Sequence, residues 1–378
     1  MSRNLRVFSL LDRYIMAQLV GPFLFGLGIF TSLGLTIGVL FEVLRNVVAN
    51  EITWAIAFQI LALRLPEFLV LGLPMATLLG TLTAYSNLSS FSEIIALRSA
   101  GVSPLRLMLP GLILGLLITG FTFSLNDWIV PGTLRQATKI TEIAKGEASS
   151  DYQEKNIIYP EYQRLQGDTG NREILKTLFY AENFDGKQMN NLTILDRATT
   201  DTQRIITALA AQWNPAQEGW QMREGSIYQI AANGSFSDIE KFETSFFKLS
   251  DAPLVLATQC QQPNEMTLPV IDLCLESLRL SRNERRIRTL QVKKQEKFSV
   301  PFVCIVFAMV GSAIGLRPQN SSRATSVGLS VAIVFAYYMI SVISSSIGVW
   351  GTVTPFLGAW FPNILGLVAA GTIIWRTG

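Results

Sequence analysis

The chain has 378 residues, 49% of them apolar and only 16% charged, against roughly 25% charged in soluble domains. Its net charge of +3 says little by itself, its placement says more, and no nucleic-acid partner is expected. Histidine is absent, which excludes His-based triads and His-ligated metal sites.

The apolar residues are bunched into runs, and a run of about 20 crosses a bilayer as a helix. Six qualify: Leu19–Phe41, Phe58–Tyr85, Leu105–Leu125, Phe298–Leu316, Ser326–Ile347 and Phe356–Trp375. Before the first, "SLLDRYIMAQ" (Ser9–Gln18) sets Leu10, Leu11, Tyr14 and Ile15 on one helical face. That pattern predicts a helix lying in the membrane interface, with Gly21 and Pro22 marking a bend into the first span. The first run is too long for a signal-peptide core and no small-residue cleavage site follows, so a signal anchor is expected. Gly34 and Gly38 within it form a small-xxx-small pair, which lets another helix approach closely. The approaching helix is either one of the same bundle or the far side of a mobile seam or subunit contact.

Arg64, Pro66, Glu67 and Pro74 interrupt the second run. Arg64 and Glu67 share a helical face, as a structural pair near the headgroups or as contacts to a polar lipid head. Next comes "SSFSEIIALRSAGVSPLRL", Ser89–Leu107. Ser90 to Glu93 fits the capping box S-x-x-E, Gly101 suits a left-handed C-cap, and Ser103-Pro104 starts the following helix. A helix of about ten residues is expected, with Phe91, Ile94 and Ile95 as an apolar patch and Glu93 and Arg98 pointing apart. It either lies on the bilayer or docks a cytoplasmic protein.

Between the third and fourth runs the composition is that of a soluble domain. "LKTLFYAENF", "LTILDR", "RIITALAAQW", "WQMREGSIYQI" and "FETSFFKL" read as strands, with turn signals at Asp185-Gly186, Asn214-Pro215 and Asn233-Gly234. Such punctuation suggests a sandwich or jelly roll. From Pro269 to Lys297 the pattern returns to helix, ending in the basic stretch Arg279–Lys297. Cys260 and Cys274 fit either a disulfide or two thiols, and Cys304 lies in a span. No phosphate loop of the GxxxxGK[ST] type occurs, so ATP hydrolysis is not built into the chain.

Short-loop cations mark the cytoplasm. Arg3, Arg6, Arg13, Arg98, Arg106, Arg317, Arg323 and Arg376 lie on one side, whereas Arg45 stands beside Glu42 and Glu51 on the other. Both termini and the Ser90–Gly101 helix are therefore expected in the cytoplasm, with the soluble domain outside. The basic stretch Arg279–Lys297 runs against this rule, but long domains translocate largely regardless of charge.

The segment "LPMATLLGTLTAYSNLSSFSEIIALRSAGVSPLRLMLP" closely resembles the region around the second and third helices of the LptF/LptG (YjgP/YjgQ) permeases. "LDRYIMAQLVGPFLF", "NDWIVPGTLRQA" and "KFSVPFVCIVFAMVGSAIGLRP" agree, and Glu93 to Gly101 is the sharpest match. The resemblance implies a permease of the lipopolysaccharide-export ABC transporter in the inner membrane of a Gram-negative-type bacterium. The implied fold is six transmembrane α-helices (3+3) with an inserted periplasmic β-jellyroll domain. The expected division is 1–126, 127–270 and 271–378, with a coupling helix at 90–101.

Further implications follow from the resemblance. Ser90, Glu93, Ile94, Leu97, Arg98 and Gly101 would couple to a cytoplasmic LptB-like ABC ATPase, which uses ATP; no cofactor is expected in this chain. A second permease subunit, self or paralogue, would meet the seam at Gly34 and Gly38. LptC- and LptA-like jellyroll proteins would receive lipopolysaccharide or a related glycolipid. Family cations near the outer end of the first span are here reduced to Arg45, so headgroup contacts are sought at Arg45, Arg64, Glu67, Arg285, Arg286 and Lys293. No catalytic or metal site is expected. The rival reading is a membrane-anchored envelope adaptor or receptor whose outward domain binds a partner without ATP-driven transport.

Overall fold

A computed structural model describes residues 9–144, 155–167, 170–184, 188–197, 202–214, 219–231, 236–247, 260, 262–281, 284–317 and 323–377. The chain divides into two compact units, Met1–Lys145 with Gln291–Gly378, and Gly146–Leu290. Among the described residues six helices are long and apolar enough to cross a membrane: Leu10–Val48, Trp54–Ser90, Pro104–Thr141, Glu284–Gly315, Thr325–Trp350 and Pro355–Arg376. Each contains most or all of one expected run, and all but the fourth, which stops at Gly315, extend beyond their run at both ends.

The first is α1 (Leu10–Leu35), a π-helical segment Thr36–Leu40, and α2 (Phe41–Val48). The expected interfacial helix does not form separately, because α1 runs unbroken through Gly21 and Pro22. Pro22 forfeits one backbone bond, while buried Ile15 and Leu19 pack with Tyr85, Leu88, Leu107 and Met108 and hold the N-terminal end of α1 in the bundle. Ser9 caps it reciprocally with Asp12, satisfying donors that a helix start leaves orphaned. The second is α3 (Trp54–Ser90), which carries Pro66 and Pro74. It lies close to α1: a Cβ on Gly80 would sit 3.0 Å from the Cα of Phe23.

A short α4 (Glu93–Ser99) connects to α5 (Pro104–Ser124), which continues through a π-helical segment Leu125–Ile129 into α6 (Val130–Ala144). The expected domain break after residue 126 falls inside this continuous run. In the second unit six strands follow: β1 (Lys155–Gly167), β2 (Gly170–Phe184), β3 (Met189–Asp196), β4 (Thr202–Asn214), β5 (Gly219–Ala231) and β6 (Phe236–Phe247). All pairs are antiparallel and the order is sequential. The inserted β domain is thus an up-and-down meander among the described residues. Residues 185–187, 215–218 and 232–235, which hold most of the expected turn signals, lie outside them.

The sheet is creased along one line. Buried positions in three strands change parity at one level, from Ala181 to Phe184, Met189 to Leu192 and Ala208 to Ala211. Four successive registers step over Glu182, Asn191, Leu209, Glu224 and Glu243 at that level. Asn191 and Glu224 there have φ of 49° and 50°. One extra residue at a common level of each strand bends the strands without changing their pairing, so apolar side chains on both sides of the crease face one core.

That core is closed by α7 (Leu268–Ser281). Ile271, Cys274 and Leu278 join Phe179, Ile194, Trp220 and Met222 in one cluster. Cys260 and Cys274 are disulfide-bonded, which decides between the two sequence readings. The expected Pro269–Lys297 helix is divided between α7 and α8 (Glu284–Gly315), with residues 282–283 outside the described ones. The last two helices are α9 (Arg323–Trp350) and α10 (Pro355–Thr377), which touch where Gly348 faces Gly358 and the Ser344 hydroxyl donates to the Gly358 carbonyl at 2.7 Å.

Candidate functional site

The segment between α3 and α5 is built differently from the capping-box expectation. Ser90 is the last helical residue of α3, and its hydroxyl donates to the Ser86 carbonyl at 2.9 Å. An N-cap needs a non-helical backbone, so Ser90 cannot cap α4. Ser92 takes that place with φ of 60° and no side-chain cap bond. The helix is therefore seven residues, Glu93–Ser99, shorter than expected. Its C-terminal end matches the sequence reading. Gly101 has φ of 88°, its N–H donates to the Arg98 carbonyl at 2.9 Å, and the Val102 N–H donates to the Leu97 carbonyl at 3.1 Å, the Schellman pattern. Ser103 then accepts from the Arg106 N–H and Pro104 opens α5.

The apolar patch splits in two. Ile94 is 3% exposed and Leu97 packs on the same cluster as Tyr85 and Met108. Phe91 is 71% and Ile95 48% exposed, so they form the outward part. Arg98 lies in the last turn, where a cation complements the helix dipole. Half-buried Glu93 reaches α1, and one of its carboxylate oxygens accepts from the exposed Tyr14 hydroxyl at 2.8 Å.

Close by, Arg106 grips the N-terminal end of α1. Its guanidinium donates to both oxygens of Asp12, at 2.6 and 2.8 Å, and to the Ser9 hydroxyl at 3.2 Å. Such a two-pronged pair fixes direction as well as distance. Tyr85 adds a wedge in α5: its hydroxyl donates to the Leu107 carbonyl at 2.8 Å and accepts from the Gly111 N–H at 3.2 Å. α1, α3 and α5 are thereby tied together beside α4.

The two seam glycines share one partner. A Cβ on Gly34 would meet Phe68 Cδ1 at 3.0 Å, and one on Gly38 would meet Phe68 Cζ at 2.5 Å. Their close approach is thus to α3 of the same chain. Gly38 lies in the π-helical segment Thr36–Leu40, a distortion that recurs at functional sites.

The candidate headgroup residues are divided between the two units. Arg45 is exposed in the last turn of α2. Arg64 and Glu67 pair at 3.7 Å, as the sequence spacing predicts. Lys293 pairs with Glu296 at 2.8 Å. In the other unit, Arg285 is exposed, and Arg286 donates to the Cys260 carbonyl at 2.7 Å.

The sequence model of the lipopolysaccharide export system permease LptF/LptG matches residues 13–376. The chain belongs to the LptF/LptG family. Among relatives, the chain is 23% identical to the lipopolysaccharide export system permease protein LptG of Haemophilus influenzae, over 98% of each chain. It is 24% identical to the uncharacterized protein RP871 of Rickettsia prowazekii, where the match spans 55% of each chain. As an LptF/LptG protein with six apolar helices, it is a multi-pass inner-membrane permease of a transporter.

Sequence reasoning missed four groups in this LptF/LptG chain: the Tyr14–Glu93 contact, the Asp12–Arg106 pair, the Tyr85 wedge, and a buried Lys297. The amine of Lys297 donates to the Asn126 carbonyl at 2.7 Å and lies 3.8 Å from Asp127. Only Ser9-x-x-Asp12 left a local signal, since it is itself a capping-box pattern.

Proposed function

We propose that this LptF/LptG chain is one permease subunit of an ATP-driven exporter. It takes lipopolysaccharide, or a related glycolipid, out of the inner membrane and hands it to periplasmic LptC- and LptA-like proteins. The observation that carries the reading is α4, a short helix between two left-handed residues that anchors Ile94 and Leu97 inward and offers Phe91 and Ile95 outward. A cytoplasmic LptB-like ATPase covers that outward patch, hydrolyses the ATP and moves the rod. Ser90 closes α3 ahead of the rod, Glu93 opens it after the left-handed Ser92, and Arg98 and Gly101 end it.

On this reading both termini and α4 are cytoplasmic, and the β domain is periplasmic. This chain holds no cofactor of its own and does no covalent chemistry. A second permease, a copy or a paralogue, completes the membrane pair, and α1 borders the seam through which lipid enters. Gly34 and Gly38 shape that border indirectly, by seating α1 on Phe68. Arg45, Arg64 and Lys293 in the membrane unit, with Arg285 and Arg286 in the other, attract the anionic headgroup.

Purifying the tagged chain from its native membrane tests this. An ABC ATPase, a second permease and a glycolipid should co-purify. Phe91→Asp removes the largest exposed apolar side chain of the patch. It should cut the ATPase recovered by about tenfold, the loss expected of an interface anchor, at an unchanged amount of inserted permease. A wild-type chain that purifies without an ATPase would instead favour the envelope adaptor.

A further inference from the structure

We infer that Tyr14 is a positioning residue that carries the movement of α4 into α1 through its hydrogen bond to Glu93. The inference rests on the reading of α4 as the docking rod. Joints flank that rod, with φ of 60° at Ser92 and 88° at Gly101, so α4 can tilt without unwinding α3 or α5. Its buried side is apolar, through Ile94 and Leu97. Apolar contacts are non-directional, so a tilting helix slides over them. A hydrogen bond to a carboxylate is directional and stronger than a neutral one. The 2.8 Å bond from the Tyr14 hydroxyl to Glu93 is of that kind and joins the first residue of α4 to α1.

The neighbouring contact supplies a fixed point. Arg106, in the first turn of α5, holds Asp12 and Ser9 through three hydrogen bonds. α1 is therefore held at two points, at Asp12 by α5 and at Tyr14 by α4. Asp12 and Tyr14 are two residues apart, about 3 Å along the helix. A push at Tyr14 against a fulcrum at Asp12 turns α1 as a body, since α1 is continuous from Leu10 to Leu35. The rotation reaches the π-helical segment that follows α1, where Gly38 abuts Phe68 and which is assigned to the lipid seam. Docking at α4 thus reaches the far end of α1 through one side chain.

The test uses the complete exporter in proteoliposomes and reads lipid released per ATP hydrolysed. Tyr14→Phe removes the donor and nothing else. It should lower that ratio about fivefold, with bound ATPase and hydrolysis rate within about twofold of wild type. Tyr14→Lys returns a donor to Glu93 and should restore most of the ratio. A general packing defect would lower hydrolysis and release together and would not respond to lysine; that result, or a wild-type ratio in Tyr14→Phe, overturns the inference. Absence of an ATPase from the wild-type preparation overturns the docking reading itself, so the two failures are told apart.

Discussion

Gly311→Val should lower the melting temperature of the detergent-solubilised protein by several degrees. The glycine lies on α8, the most buried of the six membrane helices. A Cβ there would collide with the Thr81 hydroxyl and lie 3.1 Å from both the Leu78 carbonyl and the Leu82 nitrogen of α3. One turn on, a Cβ at Gly315 would come within 2.7 Å of Tyr85 Cβ. The two glycines make a flat face on which the backbone of α3 rests, the small-residue contact that holds helices together where lipid offers no hydrophobic drive.

Valine puts three carbons into that contact, and two of its obstacles are backbone atoms that cannot rotate away. Overpacking costs about 1–3 kcal/mol and occasionally more, and the upper end is expected here. Gly311→Ala should cost less, and adding Thr81→Ala should recover part of it by removing the hydroxyl. Gly120→Ala on α5 is the control, because a Cβ there meets nothing within 4 Å. Equal melting of Gly311→Val and the wild type would contradict the packing of α8 on α3.

Lys297→Met should be at least as damaging. Lys297 and Asp127 keep 8% and 10% of their side chains exposed. The ammonium reaches a backbone carbonyl, Asn126, inside the π-helical segment Leu125–Ile129. A π-helical turn displaces the normal bonding ladder, and Lys297 satisfies a carbonyl within it. Removing one partner of a buried ion pair costs about 3–5 kcal/mol, because the other charge stays behind. The double change Lys297→Met with Asp127→Asn should therefore melt higher than Lys297→Met alone, as a double-mutant cycle would measure. If the double variant is the less stable, Asp127 is held by something other than Lys297.

Local signals in the sequence carried the membrane helices and one end of α4. Run length is a local property, so all six apolar helices were legible. Gly101 and Ser103-Pro104 were legible for the same reason, since each acts on its own backbone. The box at Ser90 failed because the pattern S-x-x-E says nothing about whether its serine is already helical. Burial of Leu88 and the bond from the Ser89 hydroxyl to the Arg317 carbonyl favour carrying α3 past that point. The same pattern at Ser9 was a true cap and passed unnoticed behind the apolar face that follows it.

Pairs that join distant parts of the chain left no trace. Arg106 meets Asp12 across 94 positions and Lys297 meets Asn126 across 171. Composition shows such residues only as charges, and Lys297 read as one more cation of a basic stretch. β1 was missed because Pro160 interrupts it. Among the described residues β1 is an edge strand, paired only with β2, which is where a strand tolerates proline. The aligned parity shifts were hidden too, since each looks like an ordinary lapse of alternation until neighbouring strands are laid side by side.

Lipopolysaccharide release from proteoliposomes holding this permease, its co-purifying ATPase and second permease, with a periplasmic acceptor outside, tests the central claim. Release should begin on addition of ATP and should not occur with a non-hydrolysable analogue. Lipid that binds but is never released, or that leaves equally with and without ATP, would contradict the account.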